Sequence, residues 1–553
     1  MESDYLAQRT KKGSKGKGVA LLAILLVSTM FILAGCIGQE EEEVILNYAA
    51  QQVIGTMDPA EAVDETDLIS CVNLYSTLLF PDIEHKLPDP VAHVAKSYDV
   101  SADGTVYTFN LRDDVKFHDG SDLLAEDVVY SAERFLALGM GFSWTWAGVV
   151  DSGDIEAADE HTVVFHLNRA YPPFLATLVV FFIVNKDLMM ENQEAGDYGE
   201  FGDYSVKYLE NADAGSGPYM LESWTRGEKA VFVKFEDYFR GWKDNSIDRV
   251  NFLIVREEAT ALLMAKTGDA DLGHQWFTVE GHEELAAEPH ISMNIDPSLQ
   301  LFHLPINTQK PPTDDKDFRY AICYAFDYDT ACNVIQKGAP QARGSVPLLL
   351  AGNSENAFQF SQDMALAQDH LSKSKYAPDE YTIEYVYVEG IELERKIGLL
   401  LQENLADIGI TMTITGVPWG TITEIAATVE QTPHLTAIYD TMKFPHVDSH
   451  TYGLYHSSVP STYRTMSHYS NPDVDAKLDA ARAAITEEEQ IKKYKEAQDL
   501  YTLDAPSLYI FNTPHRVETW DYLTGYTYVG LLGYDMTWWH FQLDTEQRAE
   551  WLG

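Results

Sequence analysis

Cysteine is nearly absent, with four in 553 residues at Cys36, Cys71, Cys323 and Cys332. No two stand as C-x-x-C, so the spacings that hold zinc or a redox dithiol are missing. Basic residues are scarce as well, 39 Lys and Arg against 86 Asp and Glu. A surface of formal net charge −47 repels phosphate backbones and anionic headgroups, which excludes nucleic acid as a partner. The same charge keeps a protein soluble where salt screens its self-repulsion. The signatures of common catalysts are also lacking. There is no G-x-S-x-G elbow and no Walker loop, and His282-Glu283-Glu284 cannot complete H-E-x-x-H because position 286 is Ala. With 86 carboxylates, a pair at glycosidase spacing can be drawn anywhere and has no weight. No cofactor motif is present, and an enzyme is not expected.

One long apolar run does occur. Val19–Ala34, VALLAILLVSTMFILA, follows Arg9, Lys11, Lys12, Lys15 and Lys17. Sixteen residues suit a signal-peptide core and fall short of the ~20 that span a bilayer. The run ends in Leu33-Ala34-Gly35-Cys36, which resembles a lipobox. Small residues at Ala34 and Gly35 admit the chain to a peptidase groove, and the Cys36 thiol would carry lipid. The alternative is an uncleaved N-terminal anchor helix. Either way the rest of the chain is exported and held at the outer face of the cell membrane. Residues 1–35 are expected to be signal peptide and residues 36–43, with Gln39-Glu40-Glu41-Glu42-Glu43, a solvated acidic tether. What remains has roughly three domains' length.

From Val44 onward helix and strand signals alternate, so the class is α/β. Val106–Leu111 alternates strictly, with Tyr107, Phe109 and Leu111 on one face, and Thr162–Leu167 does the same with Val163, Phe165 and Leu167. Ala125–Leu138 places Val128, Ala132, Phe135 and Leu136 on one helical face, with Ser121 and Asp122 as nearby caps. A strand at Tyr381–Val388, a helix at Glu392–Ile408 and a strand at Ile410–Ile414 make a βαβ unit. Asn471–Asp504 is a long helical region. Cys71 lies in an apolar stretch and reads as a core residue, whereas Cys323 and Cys332 stay open between free thiols and a disulfide.

Four segments, taken in order, resemble one family. GTVYTFNLRDDVKFHDGSDLLAEDVVYSAERF (104–135) carries a strand, a basic turn, an F-H-D-G corner and an A-E-D-V helix start. GSGPYMLESWTRGEKAVFVKFEDYFRG (215–241) carries G-x-G-P-Y and ends in Y-F-R-G. KDFRYAICYAFDYD (316–329) and NPDVDAKLDAARAAITEEEQIKKYKEAQDLYTLDAPSLYIF (471–511) supply a helix, then a helical pair with a return strand. Together they resemble the extracytoplasmic solute-binding proteins of peptide and nickel ABC importers, family 5. Gly120 and Gly217 are expected where the backbone leaves no room for a side chain, and Asp127 at the first turn of its helix.

The resemblance implies a type II (cluster C) periplasmic-binding-protein-like fold, two lobes with a hinge and an extra inserted domain. Domain I would comprise 44–80, 214–301 and 509–553, domain II 81–213 and domain III 302–508. The chain would cross between lobes near Leu301–Asn307 and Leu508–Thr513. The implied function is capture of a small solute, foremost an oligopeptide, and its delivery to a membrane permease and ATPase by hinge closure. The protein would be a monomer held to the membrane by lipid.

The resemblance also implies site residues. Peptide-binding relatives place an acid after an aromatic, in the loop following a C-lobe strand, to meet the peptide ammonium. The corresponding stretch is Ala437-Ile438-Tyr439-Asp440-Thr441-Met442-Lys443-Phe444-Pro445-His446-Val447-Asp448. Aligned without gaps from Asp448, the position falls on Lys443; with a three-residue insertion it falls on Asp440. The alternative for Lys443 is a solvated surface lysine. Where dipeptide-binding relatives place an arginine, this chain has Glu389. Gln52, Trp276, Trp419 and Tyr439 complete the candidate ligand contacts; Trp144 and Trp146 are further loop aromatics. Tyr and Trp offer flat apolar area with one polar handle, which suits peptide or sugar, and core packing is the competing role. His446, His450, His456 and His468 raise a late transition metal as a further ligand, although their spacing matches no ligand set. A lipid-anchored sensor using the same cleft without transport is the rival class.

Overall fold

Alternation in VYTFNL folds as period two requires. Strand Val106–Leu111 buries Tyr107, Phe109 and Leu111 and turns the other residues outward. It lies in a four-stranded antiparallel sheet ordered Ala95–Val100, Val106–Leu111, Thr162–His166, Ile155–Asp159. Helix Ala125–Leu138 packs on this sheet and buries Val128, Ala132 and Phe135. Its cap is neither Ser121 nor Asp122. Asp127 accepts the Leu124 N–H at 2.8 Å and the Lys186 N–H at 2.9 Å, so one carboxylate closes the helix start and fixes the next helix to it. The two motif glycines have different reasons. Gly120 holds φ +88°, where a side chain is strained, whereas a Cβ on Gly217 would stand 2.5 Å from the Asn73 carbonyl oxygen.

The computed structural model describes residues 43–553 except Ser298, and residues 44–553 form one unit. The leader, Cys36 and the tether up to Glu42 lie outside the described residues. A second sheet runs Ile45–Ala50, Arg249–Ile254, Lys229–Lys234, Tyr219–Thr225, its first pair parallel and the others antiparallel. Ile291–Asp296 pairs antiparallel with His515–Trp520 across a long sequence separation. The strands next to them in sequence, Gln300–Pro305 and Ser507–Asn512, also pair antiparallel, and Ile438–Thr441 pairs on the other edge of the first.

Strand Thr382–Val388, helix Glu392–Ala406 and strand Thr411–Val417 form the βαβ unit, with the strands parallel and Leu393, Ile397, Leu401 and Leu405 buried. The long helical region is two helices, Pro472–Arg482 and Glu487–Thr502. Asn471 caps the first and Thr486 the second, so each start is set by a side-chain oxygen on a backbone N–H. Ile485 lies in the break between them and is 76 % exposed. Cys71, Cys323 and Cys332 are buried free thiols.

Buried apolar side chains form one large cluster from the two four-stranded sheets and a second around the βαβ unit. A smaller third cluster, including Val388, Ile391, Ile422, Ile438, Tyr463 and Met466, has Val63, Trp276, Trp419 and Tyr439 packed against it. That third cluster marks the seam where the site lies.

Candidate functional site

Strand period two builds one wall of the site. Ala437, Tyr439, Thr441 and Lys443 are alternate residues, and all four line a cavity of about 50 Å³. Asp440 sits between them and therefore points the opposite way. It takes two hydrogen bonds from Arg464, Nε to Oδ1 and Nη2 to Oδ2, both at 2.8 Å. Arg464 also donates to the Ser449 carbonyl at 2.6 Å, and His450 Nε2 lies 3.6 Å from the carboxylate. Burial opposes a charge on Asp440, but Arg464, His450 and Lys443 outweigh it and hold the carboxyl well below its usual range.

Lys443 is no surface lysine. Its side chain is 1 % exposed, and its ammonium lies 3.7 Å from Asp440 Oδ1 and 5.8 Å from the centre of the Tyr463 ring. Burial depresses its pKa to about 7, although Asp440 works against the shift.

The opposite wall comes from the start of helix Glu65–Leu74 and the loop before helix Val279–Leu285. Asp64 caps its helix by accepting the Asp67 N–H at 3.0 Å, and its other oxygen accepts the Trp419 indole N–H at 2.5 Å. Glu65 accepts the Trp276 indole N–H at 2.7 Å and a hydrogen bond from Gln275. Gln275 in turn accepts from Gln300, which also donates to Thr441 at 3.0 Å, so a chain of amides joins the two walls. Burial raises Asp64 and, aided by Asp535, pushes Glu65 up to about 8.

Aromatic rings close the sides. Trp276 meets Tyr439 edge-on with centroids 5.0 Å apart, and Trp419 meets Tyr463 likewise at 4.8 Å. Tyr463 donates to the Val63 carbonyl at 3.1 Å, a second bond across the seam beside Trp419 to Asp64. Gln51 makes a third, donating to the Gly390 carbonyl at 2.7 Å. Gln52 lines the cavity with a buried Nε2 that has no protein partner among the described residues. The arrangement can hold a small, partly apolar molecule with polar ends. No nucleophile–base pair converges on it.

Of the residues read from sequence, Gln52, Trp276, Trp419, Tyr439 and Lys443 share this cavity. Asp440 supports it from behind. Glu389 is exposed and does not line it: Val388 faces the cavity, and the next residue turns onto an adjoining small cavity that shares Gln52 and Trp419 with the first and is completed by Gln51, Arg256 and Pro418. Trp144 and Trp146 are core, Trp146 among Phe135, Phe165, Phe174 and Phe181, and Trp144 stacked on Tyr452. The four histidines point to different neighbours, and among the described residues no group of three or more His, Cys, Asp or Glu is placed to hold a metal. Sequence reading missed Asp64, Glu65, Glu394 and Tyr463. An acidic pair opening the helix was a usable signal for the first two.

The family described as "Bacterial extracellular solute-binding proteins, family 5 Middle" matches residues 89–462. The chain belongs to this family. Among curated proteins it is similar to the probable D,D-dipeptide-binding periplasmic protein DdpA of Escherichia coli (strain K12), 28% identical over 90% of this chain and 93% of that one. It is also similar to the periplasmic oligopeptide-binding protein OppA of the same organism, 26% identical over 74% of this chain and 78% of that one. Among solved structures, the periplasmic binding protein DppA of Helicobacter pylori in complex with the peptide STSA superposes with TM-score 0.80 at 23% identity, covering 91% of this chain and 98% of that chain. The fold is thus the type II periplasmic-binding-protein fold. As a family 5 member the chain is an extracytoplasmic ABC-transporter solute-binding protein and not an enzyme. No helix among the described residues is long and apolar enough to cross a membrane.

Proposed function

We propose that this chain captures a short peptide in the seam cavity and delivers it to an ABC permease and its ATPase. The observation that carries the reading is the make-up of the cavity: two aromatic pairs, the three carboxylates of Asp64, Glu65 and Glu394, and a buried lysine converge on one space between apolar walls. The peptide-binding relatives favour peptide over other solutes.

The lobes would be domain I (44–80, 214–301 and 509–553) and domain III (302–508), with 81–213 inserted. The hinge would be the paired strands Gln300–Pro305 and Ser507–Asn512. Trp419 to Asp64 and Tyr463 to Val63 are then contacts of the closed form, which a ligand stabilises only by binding it better than the open one. Residues 1–35 would be removed and Cys36 lipidated, leaving a monomer anchored at the outer membrane surface. Cys36→Ala should then abolish retention in the membrane fraction and leave ligand binding intact; unchanged retention favours the uncleaved helix.

The test is a thermal-shift screen of peptides of two to five residues, neutral and acidic oligosaccharides, and nickel with histidine. Stabilisation by peptides alone supports the reading. Stabilisation by oligosaccharides alone moves the assignment to the second reading, which the four-ring lining favours.

A further inference from the structure

Lys443 is the only cation lining the cavity among the described residues, and its ammonium is only loosely paired, 3.7 Å from Asp440. Its nearest acid, Asp440, already has both oxygens held by Arg464 at 2.8 Å, which leaves Lys443 Nζ at 3.7 Å, beyond hydrogen-bond reach. A buried ammonium with three protons and no acceptor is costly unless a ligand supplies one. A second donor waits in the same cavity: Gln52 Nε2, buried and without a protein partner. Two acceptors stand on the facing wall, and a third carboxylate, Glu394 of helix Glu392–Ala406, lines the cavity while accepting the Val388 N–H at 2.8 Å. Asp64 and Glu65 each take an indole N–H and keep lone pairs free, since a carboxylate accepts about four hydrogen bonds.

We propose that the ligand bears a carboxylate received by Lys443, with its cationic end turned toward Asp64 and Glu65. The class is a zwitterionic small molecule, a short free peptide first among them. The proposal rests on the capture function above, but the Lys443 contact does not depend on the ligand being a peptide. Depression of the Lys443 pKa by burial accords with it, because a bound carboxylate restores the charge that the empty cavity disfavours.

Calorimetric titration of the full-length protein in detergent tests this with two series. The first is trialanine, its C-terminal amide and its N-acetyl form; the second is maltotriose against trigalacturonate. Wild type, Lys443→Met, Lys443→Arg and Glu65→Gln are compared, with thermal unfolding to confirm that each folds. Amidation should weaken trialanine by on the order of ten- to a hundredfold in wild type and by almost nothing in Lys443→Met, with Lys443→Arg restoring the discrimination. Acetylation should show the matching dependence on Glu65. If trialanine does not bind but trigalacturonate does, and loses affinity in Lys443→Met, the carboxylate contact stands and the peptide reading falls. If no carboxylate-bearing probe binds better than its neutral counterpart, the proposal is overturned, whichever probes bind.

Discussion

Arg464 separates what holds the site up from what touches the ligand. Arg464→Met leaves Asp440 fully buried with only Lys443 at 3.7 Å and His450 at 3.6 Å to offset its charge. Removing one member of a buried pair costs roughly 3–5 kcal/mol, because the remaining charge is stranded. Unfolding entropy of ~2.1 cal/mol/K per residue over the unit 44–553 makes one degree of Tm worth about 1 kcal/mol, so Tm should fall by roughly 3–5 °C. The pH dependence has a definite sign. Asp440 has a folded pKa below its unfolded value, so its contribution is present above the ordinary carboxylate range and is lost as pH falls toward the folded value. The wild-type advantage over Arg464→Met should therefore be full at neutral pH and shrink on acidification through that range. Adding Asp440→Asn to Arg464→Met should recover most of the loss, since no charge is then stranded. Calorimetric scans at pH 7 and pH 4 read all three effects. A Tm within a degree of wild type, or no recovery in the double variant, refutes the reasoning.

The cavity's own groups titrate in opposite directions. In Glu65→Gln, trialanine binding should weaken as pH rises above about 7, because Lys443, flanked by Asp440, Arg464, His450, Asp64 and Tyr463, must regain a proton to meet the carboxylate. In Lys443→Met it should strengthen as pH approaches 8, because Glu65, near Asp64 and Asp535, must lose one to meet the ammonium. Titrations from pH 6 to pH 9 check both, and flat profiles contradict them. Trp419→Phe removes the indole N–H from Asp64 and should lower affinity on the order of tenfold while moving the unliganded protein toward a wider form in X-ray scattering; an unchanged scattering profile counts against the closed-form contact. Gly217→Ala drives a Cβ to 2.5 Å from backbone atoms of Asn73 and Leu74, so Tm should fall by an amount corresponding to roughly 1–3 kcal/mol, and an unchanged Tm would show that the strand shifts freely.

Much of the scaffold was legible because local rules set it. The helix Ala125–Leu138 follows its apolar stripe to the residue, and Val106–Leu111 follows its alternation. The helix start is closed by Asp127, as its place in the first turn suggested, and not by Ser121 or Asp122, which precede the helix. The helical region at 471–504 is the pair that the resemblance implied, because Asn471 and Thr486 each open one helix. At the site, the choice between Asp440 and Lys443 is set by parity from Tyr439: odd positions face the cavity and Asp440 faces Arg464. Arg464 lies twenty-four residues away and nothing local announces it. Asp64 and Glu65 lie far from the C-lobe strand in sequence, so only tertiary structure brings them opposite Lys443. Glu389 was matched by position alone, and the end of its strand at Val388 turned it outward.

Native mass spectrometry of the protein purified from its own host, before and after unfolding, tests the central claim most directly. Closure around a ligand slows its release, so a bound molecule should survive purification. The expected result is a set of small masses that fit sums of amino-acid residues, each carrying a free carboxylate and released on unfolding. Released masses spaced by hexose units, or a metal ion in their place, would contradict peptide capture.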